Sequence, residues 1–271
     1  MTVPTETEKR RQEREKAKLW LRVMLAVLLL SPPAYLFIQA GRQIDINRNL
    51  LAAIRRNDAN TVEFLLSAGA DANARDSSGD TRPMLRQILD RLRGIPTPPG
   101  HSALQASLEE KPGKKIPDNW EAPPENIKII QALLDHHADP NVRGEYEATP
   151  LMLAAQQNKE ATVQALLKGG AKVDWKDFQG TDALHFAAEA GSTPIVQMLL
   201  DAGAEVNSRD SEQNTPLMEA VTAGNEPVVT LLIARGADVN AKDSAEDSAL
   251  TYALRAHSAS ITALLKKAGA H

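Results

Sequence analysis

Glycine and aspartate recur at a fixed interval through the second half of the chain. The interval is 33 residues in two series, the glycines at 170, 203, 236 and 269 and the aspartates at 177, 210 and 243. A period of this length over four copies is the signature of stacked units, each of which buries its apolar face against a neighbour. The chain is therefore constrained to fold as a solenoid rather than around one closed core.

Each copy carries signals for two short helices. The Thr-Pro pairs at 149–150 and 215–216 predict helix starts, because Thr caps free backbone amides and Pro fits the first turn. A second apolar helix follows and ends at the recurring glycine, which adopts the left-handed backbone of a helix C-terminus. Asp- and Asn-rich stretches at 205–207 and 238–240 then predict turns. The pattern indicates an all-α protein of helix-turn-helix units.

These motifs resemble the ankyrin repeat. Thr-Pro-Leu stands at 215–217, Leu-Leu-x-x-Gly-Ala at 199–204 and Asp-Val-Asn-Ala at 238–241, and earlier second halves stand at 61–76 and 129–141. The resemblance implies a solenoid with hairpin loops and about six repeats over residues 47–271. Its segments are 47–75, 76–143 with a Pro-rich insertion at 91–124, 144–176, 177–209, 210–242 and 243–271. Within the insertion, residues 101–110 suit a short helix.

The sequence departs from the family pattern at three kinds of position. Asp182 replaces the Thr of one helix start, which predicts a weaker opening of that repeat. Glu147, Gln213 and Glu246 replace a hairpin Gly, and the hairpin geometry at these positions is left open. His137 replaces the Gly after a second helix, where the resemblance requires a left-handed backbone.

The N-terminal segment predicts one transmembrane helix. Residues 1–22 contain seven Lys/Arg and four Glu, and an apolar run fills residues 19–41. That run is roughly 34 Å long as a helix, enough to cross a bilayer core of about 30 Å. Because basic flanks stay on the cytoplasmic side, residues 1–18 are expected in the cytoplasm and residues 47–271 across the membrane. We expect a single-pass protein of a bacterial inner membrane with its repeats in the periplasm.

A cleaved signal peptide is the alternative interpretation of this segment. Ile38-Gln39-Ala40 would then form the cleavage site, and the mature chain would begin at Gly41. The bulk of Ile38 and the long charged region before the apolar run favour a retained anchor.

The sequence contains no pattern typical of an enzyme or a cofactor site. No cysteine is present, and the residues after position 22 have a formal net charge of −7, a poor match for nucleic acid. His136 and His137 are adjacent and lack further ligands at suitable spacing, so we interpret them as structural. The resemblance implies that His185 also has a structural role. We expect no catalytic residues, metal, cofactor or small-molecule substrate.

The resemblance implies protein binding through hairpin tips and the exposed side of the first helices. Aromatic side chains on exposed tips favour binding, because such residues dominate interface energies. The alternative for Trp175 is that it covers a neighbouring hairpin, and for Trp120 that it pins the insertion to the stack. The candidate partner-binding residues are Tyr146, Trp175, Phe178, Gln179, Phe186, Glu189, Glu212, Glu219 and, in the insertion, Trp120.

The function predicted from the sequence is a membrane-tethered scaffold or inhibitor of a protein partner. An exported effector or immunity-type inhibitor released by cleavage is one alternative. An accessory subunit of a membrane complex is another.

Overall fold

The computed structural model describes residues 32–75, 102–108 and 127–271 of the chain. Regular secondary structure within these ranges is helical, and a single turn of 3₁₀ helix spans Glu145–Glu147. The α-helices are α1 (Pro32–Arg55), α2 (Ala59–Ser67), α3 (Ala103–Leu108), α4 (Ile127–Asp135), α5 (Pro150–Gln156), α6 (Glu160–Lys168), α7 (Ala183–Glu189), α8 (Thr193–Asp201), α9 (Pro216–Thr222), α10 (Glu226–Ala234), α11 (Ala249–Arg255) and α12 (Ala259–Lys267).

The chain divides into two compact units. Of the first unit, only residues 32–47 are described, and they form the beginning of α1. There the side-chain amide of Gln43 donates to Asn47 Oδ1 across one helical turn, at 3.0 Å. The second unit contains the other described residues, from Arg48 onward.

The predicted membrane span and its flank fall largely outside the described residues. Residues 1–18 and 19–31 are among those not described, whereas residues 32–41 are helical. Helix α1 does not end near Gly41, where the apolar run stops, but continues to Arg55. None of the described helices combines the length and the apolar character that a membrane crossing requires.

The helices of the second unit form two layers. The first-helix layer consists of α3, α5, α7, α9 and α11, each in contact with the next. The second-helix layer consists of α2, α4, α6, α8, α10 and α12, again in sequence. From α3 onward, each first helix also packs against the second helix of its own repeat. The main contacts among the described helices thus run within a repeat or between adjacent repeats, so the predicted all-α solenoid is confirmed.

The core lies between the two layers and is mainly aliphatic. Each second helix buries a pair or trio of branched side chains, exemplified by Ile195, Val196 and Leu199 of α8, all fully buried. The first helices contribute Ala and Leu, such as Ala187 and Leu184, whose small or flexible side chains let the helices approach closely. This division explains why so few aromatic residues suffice.

Side-chain caps start the first helices. Thr149 and Thr215 each accept a hydrogen bond from the amide three residues later, at 3.3 and 3.4 Å. Asp182 accepts from the amides of Leu184 and His185 at 3.0 and 3.1 Å. The expectation of a weaker opening at Asp182 is therefore wrong, because its carboxylate satisfies two free amides where Thr satisfies one.

The residues that replace glycine keep the backbone geometry of glycine. His137 has φ 63°, beside 88° for Gly170 at the matching position. In the hairpins, Gln213 and Glu246 have φ 67° and 62°, beside 76° for Gly180. The hairpin shape is thus retained, although a side chain in the left-handed region costs about 1 kcal/mol or more relative to glycine.

The second repeat differs from the expectation in its boundaries. Helix α3 agrees with the short helix predicted at 101–110, inside the expected insertion 91–124, but it lies in the first-helix layer, where it contacts α5 of the next repeat and α4 of its own. Arg75 forms an isolated bridge with Ser102, as Lys242 does with Ser248 at the start of the last repeat. The first helix of this repeat is therefore α3, and the additional residues are divided between 76–101 before it and 109–126 after it.

Candidate protein-binding surface

The hairpins between repeats form a continuous row. In the hairpin before α9, Asp210 Oδ1 accepts from the amides of Glu212 and Asn214 at 2.9 and 2.8 Å, which fixes the turn. Neighbouring hairpins are joined by backbone hydrogen bonds, such as Ser211 N to the Gln179 carbonyl at 2.8 Å. The row holds the hairpin tips at a fixed spacing along one edge of the first-helix layer.

Basic residues just before the hairpins reinforce the row. Lys176 Nζ donates to the Arg209 carbonyl at 2.7 Å, and Arg209 donates to the Lys242 carbonyl at 2.7 Å. These cations therefore donate hydrogen bonds to backbone carbonyls of the next repeat, which is a structural role.

A concave pocket of about 290 Å³ lies between the hairpins and first helices of the fourth and fifth repeats. Gln179 and Glu212 line it from two hairpin tips, and Phe186 and Glu189 line it from α7. Glu219 of α9 lines it from the next first helix. Five of the nine residues proposed from the sequence thus meet in one cavity. The pocket is further lined by Thr181, His185, Asp210, Ser211 and Asn214.

The carboxylates of the pocket form no ion pair with Lys or Arg within the described parts of the chain. Glu189, Glu212 and Glu219 take part in none of the ion pairs there, and Asp210 is bonded only within its own hairpin. Burial raises the pKa of Glu219 above its ordinary value, the nearby His185 opposes that shift, and Glu189, Asp210 and Glu212 add to it. The pocket therefore concentrates negative charge, with the His185 ring as the one basic group among its lining residues.

His185 closes the floor of the pocket and is almost fully buried. Its Nδ1 lies 2.8 Å from Asp182 Oδ1, and its Nε2 lies 3.2 Å from the Asn214 carbonyl of the next hairpin. Burial by itself lowers the pKa of His185, but the hydrogen bond and charge of Asp182 outweigh it, so the net shift is upward. The ring therefore joins the fourth repeat to the fifth, consistent with the structural role expected for it.

An exposed aromatic pair lies at the tips of the hairpins that open the third and fourth repeats. The rings of Tyr146 and Phe178 have centroids 5.4 Å apart and are tilted by 39°. Both side chains are largely exposed, 66% and 60% respectively. Tyr146 also has φ 56°, a conformation that is uncommon for a large side chain. Two adjacent rings are thus presented to solvent at a conformational cost.

Trp175 lies apart from this pair and is only partly accessible. Two cations make cation–π contacts with its ring. The Arg143 guanidinium lies 4.7 Å from the ring centroid, and Lys172 Nζ lies 5.1 Å from it. Arg143 also pairs with Glu147 of the third hairpin. Trp175 thus contacts Arg143, which precedes the neighbouring third hairpin, and Lys172 of its own stretch of chain. Trp120, the remaining candidate, lies outside the described residues.

No group of three or more His, Asp or Glu side chains in the described ranges is placed to hold a metal ion. His136 Nε2 lies 3.7 Å from Glu63, on the neighbouring second helix, and is exposed to solvent on one side. The pocket residues absent from the candidates were Thr181, Asp210, Ser211 and Asn214, together with His185, for which only a structural role was expected. The signal for Asp210 and Asn214 was available, because they hold the same repeat positions as Asp177 and Thr181 in the preceding hairpin.

Comparison with protein families identifies the repeats. Models described as ankyrin repeats match residues 122–210 (three copies) and 199–253 (many copies), and a single ankyrin repeat matches residues 50–77. Together these matches cover more than half of the chain. The chain belongs to the ankyrin repeat family.

Solved ankyrin structures agree with this assignment. The crystal structure of an ankyrin repeat domain from Acinetobacter baumannii AYE is similar, with a TM-score of 0.65 and 25% sequence identity. The alignment covers 82% of this chain and 98% of that domain. Because 547 solved chains match, the likeness establishes the ankyrin fold and does not by itself select a partner. The comparison with curated proteins gives no significant match. Ankyrin repeat domains in general are non-catalytic modules for protein–protein interaction.

Proposed function

We propose that this chain is a membrane-tethered, non-catalytic module that binds one protein partner along the hairpins and first helices of its third to fifth repeats. The binding surface consists of the exposed aromatic pair, Tyr146 and Phe178, and the acidic pocket from Gln179 to Glu219. The partner contributes a segment that carries both apolar and Lys or Arg side chains.

The observation that carries the proposal is the combination, on one edge of the stack, of exposed rings and clustered carboxylates that form no ion pair with Lys or Arg. The repeat architecture does not require either feature. At the tip position of Tyr146 the later hairpins have Gln179, Glu212 and Ala245, and these hairpins form their turns without an aromatic ring. Aromatic anchors beside charged groups are typical of the energetically dominant parts of protein interfaces.

Membrane tethering rests on the sequence of residues 9–41, where a basic segment precedes an apolar run. A tether would hold the binding surface close to the bilayer and raise its local concentration for a membrane-associated partner.

The binding surface is tested by site-specific photo-crosslinking in cells that express the full chain. A photoreactive residue at Phe178 or Glu212 is expected to capture the same protein. Phe64 and Lys168 are the controls, because both are exposed on the second-helix layer, and Phe64 is an exposed aromatic like Phe178. Capture from all four positions alike, or from none, would contradict this surface.

The chemical character of the partner is tested with charge and ring substitutions. Phe178→Ser is expected to weaken binding of the captured protein more than tenfold, while Phe64→Ser leaves the affinity unchanged. Glu212→Lys is expected to weaken binding, and the wild-type affinity is expected to fall as salt rises, because attraction between exposed charges is screened. An affinity that is independent of salt and of Glu212 would rule out a cationic segment.

The tether is tested by alkaline extraction of membranes together with the sequence of the mature N-terminus. A retained anchor predicts full-length protein in the extracted membrane pellet. A mature chain that begins at Gly41 and leaves the membrane would support the released form of the protein instead.

A further inference from the structure

Both ring nitrogens of His185 face groups that can only accept a hydrogen bond. Asp182 Oδ1, 2.8 Å from Nδ1, also accepts from the amides of Leu184 and His185, so this oxygen carries no proton and acts only as an acceptor. The Asn214 carbonyl, 3.2 Å from Nε2, has no proton to give. A neutral imidazole carries one N–H and can satisfy only one of these acceptors, whereas the imidazolium carries two and satisfies both.

This arrangement is particular to the fourth repeat. The other first helices in the described ranges begin with an uncharged hydroxyl residue, and none of them carries a His three positions later. The corresponding pairs are Ser102 and Gln105, Thr149 and Met152, Thr215 and Met218, and Ser248 and Thr251. Only between the fourth and fifth repeats, among these, does a titratable side chain make the cross-repeat bond.

The second repeat contains an uncharged version of the same joint. Gln105 Nε2 donates to the Ala148 carbonyl of the next hairpin at 3.3 Å, as His185 Nε2 does to Asn214. The other end of the amide, Gln105 Oε1, accepts from the backbone amide of Ser102. A carboxamide supplies a donor and an acceptor at every pH between 2 and 12, so this joint does not depend on a proton.

We propose that the joint between the fourth and fifth repeats is a proton-dependent latch, closed while His185 is positively charged and loosened when the ring loses its proton. Loss of the proton removes one of the two ring donors. Either the Asp182 carboxylate then keeps the backbone amides of Leu184 and His185 but loses the ring, or the Asn214 carbonyl keeps the Asp210 amide but loses its bond to the neighbouring repeat. The hairpin Asp210–Asn214 forms one wall of the acidic pocket, so release of the latch loosens that wall.

The charges around the ring favour the closed state. The titratable groups that line the pocket beside the ring are acidic, namely Glu189 in its own repeat and Asp210, Glu212 and Glu219 in the next, and Asp177 and Asp182 belong to its own repeat. The cations of the hairpin row are bonded to backbone carbonyls, Lys176 to that of Arg209 and Arg209 to those of Gln213 and Lys242. Helix α5, on the other side of α7, has no titratable residue, and α8 has only Asp201, which is bonded to Gln197 and Arg235. In agreement, the pKa of His185 is raised and that of Asp182 is lowered, in both cases against the effect of burial. The latch is therefore closed at acidic pH and opens as pH rises through the raised pKa of His185.

The latch is independent of any binding partner and is tested on the full chain alone. Amide hydrogen exchange, expressed as protection factors that remove the chemical effect of pH, is measured at pH 6 and pH 9. The hairpin Asp210–Asn214 is compared with the hairpin Asp243–Asp247, which has the same aspartate-centred turn but faces Met218 in place of His185. Protection of the first hairpin is expected to fall relative to the second by about tenfold for each unit by which the pKa of His185 exceeds its ordinary value.

The matched control is the double substitution Asp182→Ser with His185→Gln, which copies the pair found in the second repeat. The excess loss of protection is expected to disappear in this variant. Equal losses in the two wild-type hairpins, or an excess that persists in the double variant, would overturn the latch. A proton NMR titration of the His185 ring, assigned by its absence in the double variant, gives a second measure. A midpoint at or below the ordinary histidine value would also overturn it.

Discussion

The Gln105 side chain occupies the space beside the Gly144 backbone that a side chain at position 144 would need. A Cβ atom there would lie 2.7 Å from Gln105 Cδ and 3.1 Å from Oε1, far inside van der Waals contact. Gln105 cannot move aside freely, because Ser102 N and the Ala148 carbonyl hold both ends of its amide. The later repeats have Asp at the position of Gly144. The third hairpin therefore lacks the aspartate cap, and the Gln105 side chain occupies the space where a side chain at 144 would lie.

Gly144→Ala is expected to lower the free energy of unfolding by about 1–3 kcal/mol, the usual cost of forcing a group into a filled site. Urea denaturation of the full chain measures this. In the double variant with Gln105→Ala, the added methyl group has room, so the cost of Gly144→Ala is expected to be much smaller. Additive effects of the two substitutions would show that the two residues do not compete for space.

Asp174→Asn is expected to stabilise the stack by about 1 kcal/mol. Asn141 and Asn207 each hold the turn of the next repeat, through Nδ2 to a glycine carbonyl and through Oδ1 from a backbone amide. Asp174, at the same repeat position, makes neither bond, since a carboxylate has no proton to donate to the Gly203 carbonyl. Asn would complete the ladder between the third and fourth repeats.

The reverse substitution, Asn207→Asp, is the control and is expected to be destabilising by a similar amount. Thermal denaturation of both variants and of wild type gives the comparison. If Asp174→Asn leaves the melting temperature unchanged while Asn207→Asp lowers it, the ladder is not limited by the residue at 174.

Gln213→Gly is expected to raise the stability of the chain by about 0.5–1 kcal/mol. Gln213 has φ 67°, where glycine avoids the strain of a side chain, although its greater freedom in the unfolded state offsets part of the gain. Gly180→Gln is the mirror experiment at the matching position and is expected to be destabilising. There a Cβ atom would also lie 3.0 Å from Ser211 N and 3.2 Å from the Asp210 carbonyl carbon. Equal and small effects of both changes would contradict the strain argument.

Glu219→Gln is expected to stabilise the protein at pH 7 but not at pH 4. The pKa of Glu219 is raised by burial and by neighbouring carboxylates, so its contribution to stability is greatest below its ordinary pKa and is lost as pH rises through the raised value. Glu205→Gln, an exposed change of the same charge, is the control for net charge. If the stability of the two variants depends on pH in the same way, the pocket does not raise the pKa of Glu219. A stabilising substitution that also weakens partner binding would indicate that the carboxylate is retained for binding.

The repeats with intact motifs could be placed from the sequence because their 33-residue spacing fixes the register of every element. Helix α3 could not, since prolines and additional residues on both sides shift it off that spacing. Its local signal was nevertheless present, as Ser102-Ala103-Leu104-Gln105 parallels Asp182-Ala183-Leu184-His185 and Ser248-Ala249-Leu250-Thr251. A serine followed three residues later by glutamine is also a helix-start signature.

The hairpins and the pocket were predicted only in part, because bonds between repeats decide them. The left-handed backbones of Gln213 and Glu246 are set by the aspartate three positions earlier and by the neighbouring hairpin, not by their own residue type. Candidates were taken from exposed positions on the hairpins and first helices, and five of these nine residues line the pocket. Trp175 could not be separated from them by sequence, since its packing depends on Arg143 and Lys172.

Helix α3 is joined to the rest of the stack by two long stretches of chain, 76–101 and 109–126, rather than by the short turns that connect the other first helices. Its place is set by Gln105 at one end and, at the other, by the bond from the Gln157 side chain to the Leu108 carbonyl. In thermodynamic terms the helix is a docked peptide whose effective molarity is supplied by its two covalent tethers. A single proteolytic cut in each stretch would turn the second repeat into a bimolecular complex. A synthetic peptide of residues 102–108 would then compete with α3 for its binding site beside α4 and α5.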